Sequence, residues 1–214
     1  PFYARFDDAE RARFEHKLKV FVLTKHFSGA RGMEIDDEVK VTIGAAAARL
    51  VMNLPAEHYA RLVEVVVYPS HFKHPHLGDT VVLGEAFGVG TVILSWDAVV
   101  QGLANDADGL DTATHEFAHA LDGAAGAFDG TPELRDMEAY GPWSRVMSAA
   151  FTRHRGIRSH QHRAVLRDYA GKNEAEFFAV ATEAFFEKPK QMRAKHPALY
   201  AVLRDYYRSD PAGP

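Results

Sequence analysis

The sequence predicts a helix-rich α+β protein with a small β-sheet. Several long stretches place apolar residues three and four positions apart, which is the spacing of a helix with one buried face. Shorter stretches are rich in β-branched residues and end at proline or glycine, as strands do. The chain has 214 residues, 47% of them hydrophobic and 25% charged, which is typical of a soluble globular protein with one core. We therefore predict that residues 1–214 form one domain.

Two helices are predicted in the first quarter of the chain. An amphipathic helix is expected over residues 7–26, with Asp7 as its N-cap, and a turn over 27–32 ends it. A second helix is expected to begin after Asp36 or Asp37 and to continue through four consecutive alanines, which imply close helix packing. Residues 39–43 alternate well enough to form a strand instead, so this boundary stays open.

The strands are predicted in the middle of the chain. Residues 62–68 are β-branched and stop at Pro69. Residues 80–83 and 91–96 resemble the two arms of a hairpin. The glycine-rich link over 84–90 lacks the Gly-Lys-Ser/Thr ending of a phosphate-binding loop, so we interpret it as a flexible loop rather than a nucleotide site.

The second half of the chain predicts helices separated by one long loop. The loop covers residues 123–141, is rich in glycine, proline and acidic residues, and is of a length that is often functional. Before this loop, one helix is expected over 97–103 with Ser95 as its cap, and another from Asp111 or Thr112 to Gly123. After the loop, a helix is expected from Pro142 to about Arg153 and a short one over 163–169. Asn173 begins the next helix, which ends at Pro189, and a last helix follows Pro197.

Charge and composition exclude several classes of function. The formal net charge is −4 and the basic residues are scattered, which argues against direct binding of nucleic acid. The chain has no cysteine, so a metal ion must be held by His, Asp or Glu. No apolar run reaches the roughly 18 residues of a membrane helix, and the N-terminus has no signal-peptide pattern. We expect a cytoplasmic protein without a membrane partner.

A His-Glu-x-x-His motif lies in the middle of the chain, at residues 115–119. On a helix, His115 and His119 are one turn apart on one face, so both imidazoles can bind a single metal ion. Glu116 is rotated by about 100° from His115, which suits a carboxylate that contacts a water molecule beside the metal. We predict one Zn²⁺ per chain. Because a catalytic zinc usually has three protein ligands and one open position, a third ligand is required.

Asp122 is the nearest candidate in sequence for the third ligand. On a continuous helix it lies about 10 Å along the axis from His115, further than one ion spans comfortably. We expect it instead to support the site from behind, through a hydrogen bond to a ligand histidine or to neighbouring backbone. An aspartate that merely faces water is an equal alternative.

The helix after Asn173 offers other carboxylates. Glu176 and Glu183 are seven residues apart and share a face, whereas Glu174 points elsewhere. Capping explains Glu176 by itself, because it occupies the third position of an Asn-x-x-Glu capping box. Together with the upstream motif, metal binding becomes the favoured role of Glu176. Glu183 would then support the ligands or join a buried polar network.

The remaining histidines are poorer candidates for a metal site. Three of them lie in a loop that contains Pro75, with no helix or strand to make their side chains converge. Three others lie in a basic segment that we interpret as a solvated loop. The two groups are His71, His74 and His76, and His154, His160 and His162.

The motif and its downstream partners resemble a known family. Residues 115–123, followed by 168–170 and 173–180, resemble the zinc metallopeptidases of the Mlc titration factor A family. The spacing from Tyr169 to Glu176 is also similar to that of the anthrax lethal factor catalytic domain. The resemblance extends over nearly the whole chain.

The resemblance implies a zincin-like fold, with a small sheet whose edge strand borders the active-site helix. It implies His115, His119 and Glu176 as zinc ligands, Glu116 as general base and Tyr169 as a phenol that stabilises the oxyanion. The family is described as hydrolysing peptides, mostly as an aminopeptidase on small substrates. In enterobacteria it is also described as binding the repressor Mlc.

Two functional hypotheses follow. In the first, the protein is a zinc metallopeptidase, and the strand over 91–95 is the edge along which a peptide substrate pairs through Val92, Ile93, Leu94 and Ser95. In the second, it sequesters a transcriptional repressor of the Mlc type and zinc is structural or gating. A fourth protein ligand would indicate the structural role, since structural zinc sites are closed.

Overall fold

The protein was analysed as a computed structural model, which describes residues 2–70, 72–73, 81–82, 84–87, 90–105, 108–156 and 164–213. Within these ranges the chain forms eight α-helices and six short strands, with helices packed against a small mixed sheet. The predicted helix-rich α+β class is confirmed. One extensive cluster of buried apolar side chains connects most of these elements.

The first two helices begin at capping aspartates. Helix α1 spans Asp8–Thr24, and the Asp7 side chain accepts a hydrogen bond from the Glu10 backbone N–H at 2.7 Å. Helix α2 spans Asp37–Val51, and the Asp36 side chain accepts from the Val39 N–H at 2.9 Å. Both N-caps agree with the sequence prediction. Residues 39–43 are helical, so the alternative strand is not formed.

Helices α1 and α2 pack closely because their contact uses small residues. Ala47 and Ala48 are fully buried. A Cβ added to Gly44 would lie 2.8 Å from Leu18 Cδ1 and 3.0 Å from Val22 Cγ2, so glycine permits this approach. The alanine run therefore has the packing role that was expected of it.

The main sheet has four strands. They are β1 (His26–Gly29), β2 (Glu64–Tyr68), β5 (Gly84–Phe87) and β6 (Thr91–Ser95), in the order β1-β2-β6-β5. Strands β1, β2 and β6 are parallel, and β5 pairs antiparallel with β6. Strands β3 (Phe72–Lys73) and β4 (Val81–Val82) form a separate antiparallel pair.

The predicted hairpin between residues 80–83 and 91–96 is wrong in its first arm. The partner of β6 is β5, in the stretch interpreted as a flexible loop, whereas Val81 and Val82 pair with β3. Thr80 and Leu83 lie outside the described residues. The sequence pattern favoured residues 80–83 as the partner of β6 because they are β-branched. The actual partner is the segment that the fold places beside β6, and β-branched composition does not determine this.

The predicted edge position of β6 is wrong. Strand β6 pairs with β2 on one side and with β5 on the other, so its backbone hydrogen-bonding groups face neighbours within the sheet. Val92 and Leu94 are 1% and 0% exposed and belong to the core, and Ser95 is also fully buried. Val92, Ile93, Leu94 and Ser95 therefore do not form an open edge for substrate. Among the described strands, β5 borders β6 and has no partner on its other side.

The central helix of the fold is α4. The short helix α3 (Trp96–Ala104) follows β6, and α4 spans Thr112–Asp122. Helix α4 packs against helix α2, against strands β5 and β6, and against the second half of the chain. Nine of its eleven residues are buried. A helix enclosed in this way holds its side chains in fixed directions.

Helices complete the second half of the chain. Helix α5 spans Met137–Gly156, α6 Glu174–Glu187, α7 Pro189–Lys195 and α8 Pro197–Tyr207. Helix α6 is buried along almost its whole length and packs directly on α4. This contact brings the carboxylates of α6 to the histidines of α4.

Helix α5 begins five residues earlier than predicted. Pro142 lies inside the helix, and Asp136 provides the start by accepting a hydrogen bond from the Ala139 N–H at 3.0 Å. The prediction relied on the preference of proline for the first turn and overlooked this cap. Helix α5 also continues past Arg153, so His154 is a buried helical residue and not part of a solvated loop.

Three further predictions differ from the structure or cannot be compared with it. Strand β1 was not predicted: His26 was placed at the end of the first helix and residues 27–29 in the turn that follows it, since His-Phe-Ser-Gly has no β-branched residue. Of the short helix predicted over 163–169, residue 163 lies outside the described residues, and the rest contains only the start of a 3₁₀ turn over Asp168–Gly171. The other histidines set aside as loop residues lie outside the described residues: His71, His74, His76, His160 and His162.

None of the helices in the described ranges is both long enough and apolar enough to cross a membrane.

Candidate metal centre

The two histidines of the motif are fixed by the capped start of α4. Asp111 is the N-cap: its carboxylate accepts hydrogen bonds from the Thr114 N–H at 3.0 Å and from the Thr114 hydroxyl at 2.6 Å. One turn of helix then places His115 and His119 side by side, with ring centroids 4.8 Å apart. Their Nε2 atoms point to a common space and are separated by 3.2 Å.

Glu176 closes this space from α6. Asn173 caps α6 by accepting a hydrogen bond from the Glu176 backbone N–H at 2.8 Å. The Glu176 carboxylate points to the histidines, with Oε2 lying 3.0 Å from His115 Nε2 and 3.2 Å from His119 Nε2. This cap uses only the backbone N–H of Glu176, whereas the carboxylate points to the histidines, so the capping box does not account for the Glu176 side chain.

The three ligand atoms suit one metal ion. Among the described residues, His115, His119 and Glu176 are the group of His, Asp and Glu side chains whose donor atoms converge closely enough to hold a metal. An ion about 2.1 Å from each ligand in a tetrahedral arrangement needs ligand atoms roughly 3.4 Å apart. The observed separations of 3.0–3.2 Å are close to this value. The residues present therefore fit a metal ion.

The local charges favour a cation at the same place. Burial lowers the pKa of His115, but the carboxylates of Glu183 and Glu176 outweigh it and raise the pKa to about 10. Burial raises the pKa of Glu176, but hydrogen bonds from His115 and His119 dominate and hold it well below its usual value. Both shifts have the direction expected where carboxylates stabilise positive charge between these side chains.

Glu183 and Arg167 lie behind His115. Glu183 is fully buried, and its Oε1 lies 3.5 Å from His115 Nδ1, on the side of the ring opposite the ligand atom. Its other oxygen contacts the guanidinium of Arg167. At this distance Glu183 acts on the ring through its charge, because neither His115 Nδ1 nor Glu183 Oε1 has a hydrogen-bond partner among the described residues. Arg167 neutralises the buried charge that this arrangement requires.

Tyr169 and Lys172 occupy the exposed side of the centre. The Tyr169 hydroxyl donates a hydrogen bond to Glu176 Oε1 at 3.0 Å, and its ring centroid lies 6.0 Å from that of His115. Lys172 Nζ lies 3.1 Å from the Tyr169 hydroxyl oxygen. Tyr169 remains 44% exposed, so its phenol is accessible from solvent.

Glu116 is held beside the ligands within the buried part of α4. Only 5% of the residue is exposed, and its negative charge contributes to the raised pKa of His115. Glu116 is therefore shielded from bulk water and close enough to His115 to act on its charge.

Asp122 contacts backbone and not a ligand histidine. It is fully buried, and its Oδ2 accepts a hydrogen bond from the Gly130 N–H at 2.9 Å. Gly130 has a φ of 78°, and a Cβ there would lie 2.5 Å from the Glu174 carbonyl oxygen. Asp122 thus ties the loop after α4 to the start of α6. The alternative that it faces water is wrong.

A third buried carboxylate on α6, that of Glu187, makes stability depend on pH. Burial raises the pKa of Glu187 to about 8, and the negative charges of Asp111 and Glu183 contribute to the rise. The folded protein therefore binds this proton more tightly than the unfolded chain, whose glutamate has the ordinary value of 4.5. The contribution of this proton to the free energy of unfolding is fully present below about pH 4.5 and is lost as the pH rises to about 8.

We therefore expect Glu187→Gln to stabilise the protein relative to wild type increasingly as the pH rises from 5 to 8.5. The amide is neutral throughout, so the gain is roughly a few kcal/mol at the upper end. Urea unfolding of the metal-free proteins at pH 5 and at pH 8.5 measures this gain in the free energy of unfolding. Glu34→Gln, at an exposed position, is the matched control. A constant difference between Glu187→Gln and wild type would contradict the assignment.

Sequence reasoning missed two charged residues of the centre. Lys172 precedes Glu176 by four residues, a spacing that commonly pairs opposite charges near a helix start, so a signal was present. Arg167 had no such signal. Its contact with Glu183 exists because the turn at 168–171 folds the preceding chain back onto α6.

Comparisons with known proteins agree with this geometry. The family model described as glucose-regulated metallo-peptidase M90 matches residues 1–208. The chain is 34% identical to the uncharacterized protein slr2042 of Synechocystis over 99% of its own length and 81% of that protein. It is 26% identical to proteins named Mlc titration factor A from Yersinia pestis and Yersinia pseudotuberculosis, over 99% of this chain and 82% of theirs.

Proposed function

The chain belongs to the glucose-regulated metallo-peptidase M90 family, and on that premise we propose that it is a zinc-dependent peptidase with its active site at His115, His119 and Glu176. The convergence of three ligand atoms from α4 and α6, with Glu116 beside them, is the observation that supports this proposal most directly. Two imidazoles and one carboxylate are a ligand set that catalytic zinc uses in other peptidases.

The number of ligands supports a catalytic centre rather than a structural one. The group in the described part of the chain has three members, and a catalytic zinc needs a further position for water or substrate. When bound, the metal would lower the pKa of a water molecule and polarise the carbonyl of the scissile bond. The residues of the chain would supply the remaining chemistry.

Glu116 is the proposed general base. It would accept a proton from the attacking water and later donate it to the leaving amine. Its burial supports this role, because a carboxylate shielded from bulk water transfers its proton to the reacting groups rather than to solvent.

Tyr169 is the proposed donor to the oxyanion. Its hydroxyl is close to the ligand carboxylate and its ring is partly exposed, so a small side-chain rotation would direct the O–H towards a bound substrate. A donor of this kind stabilises charge that develops only in the transition state.

We propose peptides as the substrate class, with aminopeptidase-like action on short peptides as the narrower form. The narrower form is supported by the family resemblance. The main sheet has two edge strands, β1 and β5, and of these we propose β5 as the one to which an extended peptide adds a strand. Strand β5 also packs against α4, which would bring such a peptide to the centre.

The test is a digest of a short-peptide library with and without metal. We expect cleavage by the protein as purified, loss of cleavage after chelation, and recovery after one equivalent of zinc per chain. N-acetylated copies of the same peptides distinguish the modes of attack, since an aminopeptidase needs the free amine. Cleavage that persists unchanged in chelator would contradict a metallopeptidase.

A second function is supported by the relatives named Mlc titration factor A. It is the sequestration of a transcriptional repressor of the Mlc type in the cytoplasm, with zinc structural or gating. The two functions are compatible, and Glu116→Gln separates them: a pure binding role requires that this variant still captures the repressor with unchanged affinity. Failure of both wild type and variant to bind the repressor would remove this function.

A further inference from the structure

Lys172 lies against two groups to which the proposed reaction assigns roles. Its Nζ is 3.1 Å from the Tyr169 hydroxyl oxygen and 3.2 Å from Glu176 Oε1, and it lies 5.0 Å from the centroid of the Tyr169 ring. Its side chain is 58% exposed, so the ammonium reaches the centre from the solvent side. Neither the metal ligation nor the proton transfer described above uses this residue.

The hydrogen bonds of Tyr169 raise a difficulty that Lys172 resolves. A phenol has one hydrogen to donate, and in this structure Tyr169 donates it to Glu176 Oε1. To stabilise an oxyanion, Tyr169 must withdraw this hydrogen from a carboxylate that is only 8% exposed. Leaving a buried carboxylate oxygen without its donor is costly and would oppose the movement.

An ammonium group has three hydrogens and no acceptor, so Lys172 can donate to both oxygens at once. Its contact with Glu176 Oε1 remains when the phenol turns away. Its contact with the Tyr169 oxygen occupies an acceptor position of the phenol and leaves the O–H hydrogen available.

We propose that Lys172 is a positioning residue for Tyr169: it keeps Glu176 Oε1 hydrogen-bonded while the phenol moves to the oxyanion. The inference rests on the proposed peptidase function. It differs from an ordinary exposed i,i+4 ion pair, which contributes little and would leave turnover unchanged.

The first test is the kinetics of Lys172→Met. We expect kcat to fall on the order of tenfold with KM changed less than about twofold, because the contact matters once the phenol has moved. Lys172→Arg should recover most of the loss, since a guanidinium also has several donors. Lys190→Met, which removes an exposed lysine on α7, is the matched control and should behave as wild type.

The second test is a double-mutant cycle with Tyr169→Phe. If Lys172 acts through the phenol, Lys172→Met has no further effect on kcat once the hydroxyl is gone, so the two losses are not additive. Additive losses would overturn the proposal. A kcat for Lys172→Met equal to that of Lys190→Met would overturn it as well.

The third test is the zinc affinity of the metal-free variants, which needs no turnover. A positive charge beside a ligand carboxylate opposes a cation, so Lys172→Met should bind zinc as tightly as wild type or several-fold more tightly. Weaker binding would indicate a residue that merely supports the site and would overturn the proposal. If wild type itself cleaves no peptide, both the proposed function and this inference fail. If wild type cleaves peptides and Lys172→Met has the same kcat, only this inference fails.

Discussion

Glu116→Gln is expected to lower peptide hydrolysis by about 10²–10⁴-fold while the metal content stays unchanged. The amide has nearly the shape of the carboxylate and fills the same buried place on α4, but it cannot accept the proton of the attacking water. His115, His119 and Glu176 keep their own contacts, so the affinity for zinc should change little.

The measurement is kcat/KM on the best peptide from the library, together with zinc per chain for the same preparations. Glu138→Gln is the matched control, because Glu138 is exposed on the first turn of α5, away from the ligands. Turnover of Glu116→Gln close to that of wild type would exclude Glu116 as the base. A loss of zinc in this variant would mean that Glu116 is itself a ligand.

Glu176→Gln and His119→Ala are expected to weaken zinc binding on the order of 10²–10³-fold and to abolish hydrolysis. Each change removes one of the three proposed ligands. The loss should be seen in competition titrations with a chelator of known affinity. Two exposed residues provide the controls: Glu174→Gln lies two residues before Glu176 on the same helix, and His16→Ala removes an exposed histidine from α1. Zinc affinity equal to wild type in either ligand variant would contradict the ligand set.

The parts of the site encoded by local spacing were accessible from the sequence. The four-residue interval between His115 and His119 fixes both rings on one face of a helix wherever that helix lies. Glu176 was a candidate because a carboxylate among phenylalanines on a buried helix needs a partner. Its position at the histidines depends on the packing of α6 on α4, which the sequence alone only suggested.

The parts set by contacts between distant segments were not accessible. Strand β6 had the composition of a strand, but its central position depends on β5 and β2, and no local pattern records which strand lies at an edge. Arg167 reaches Glu183 across a turn that had been predicted as a helix. His154 was assigned to a loop because the length of α5 was underestimated, although its ring packs 6.2 Å from that of Phe177.

The proposed metal centre is tested most directly by the zinc content of the protein purified without chelator, measured beside a variant in which His115, His119 and Glu176 are all replaced by alanine. We expect one zinc per chain in wild type and none in the variant, with both proteins folded. A wild type that binds no zinc, or a variant that retains it, would contradict the metal centre from which the proposed function follows.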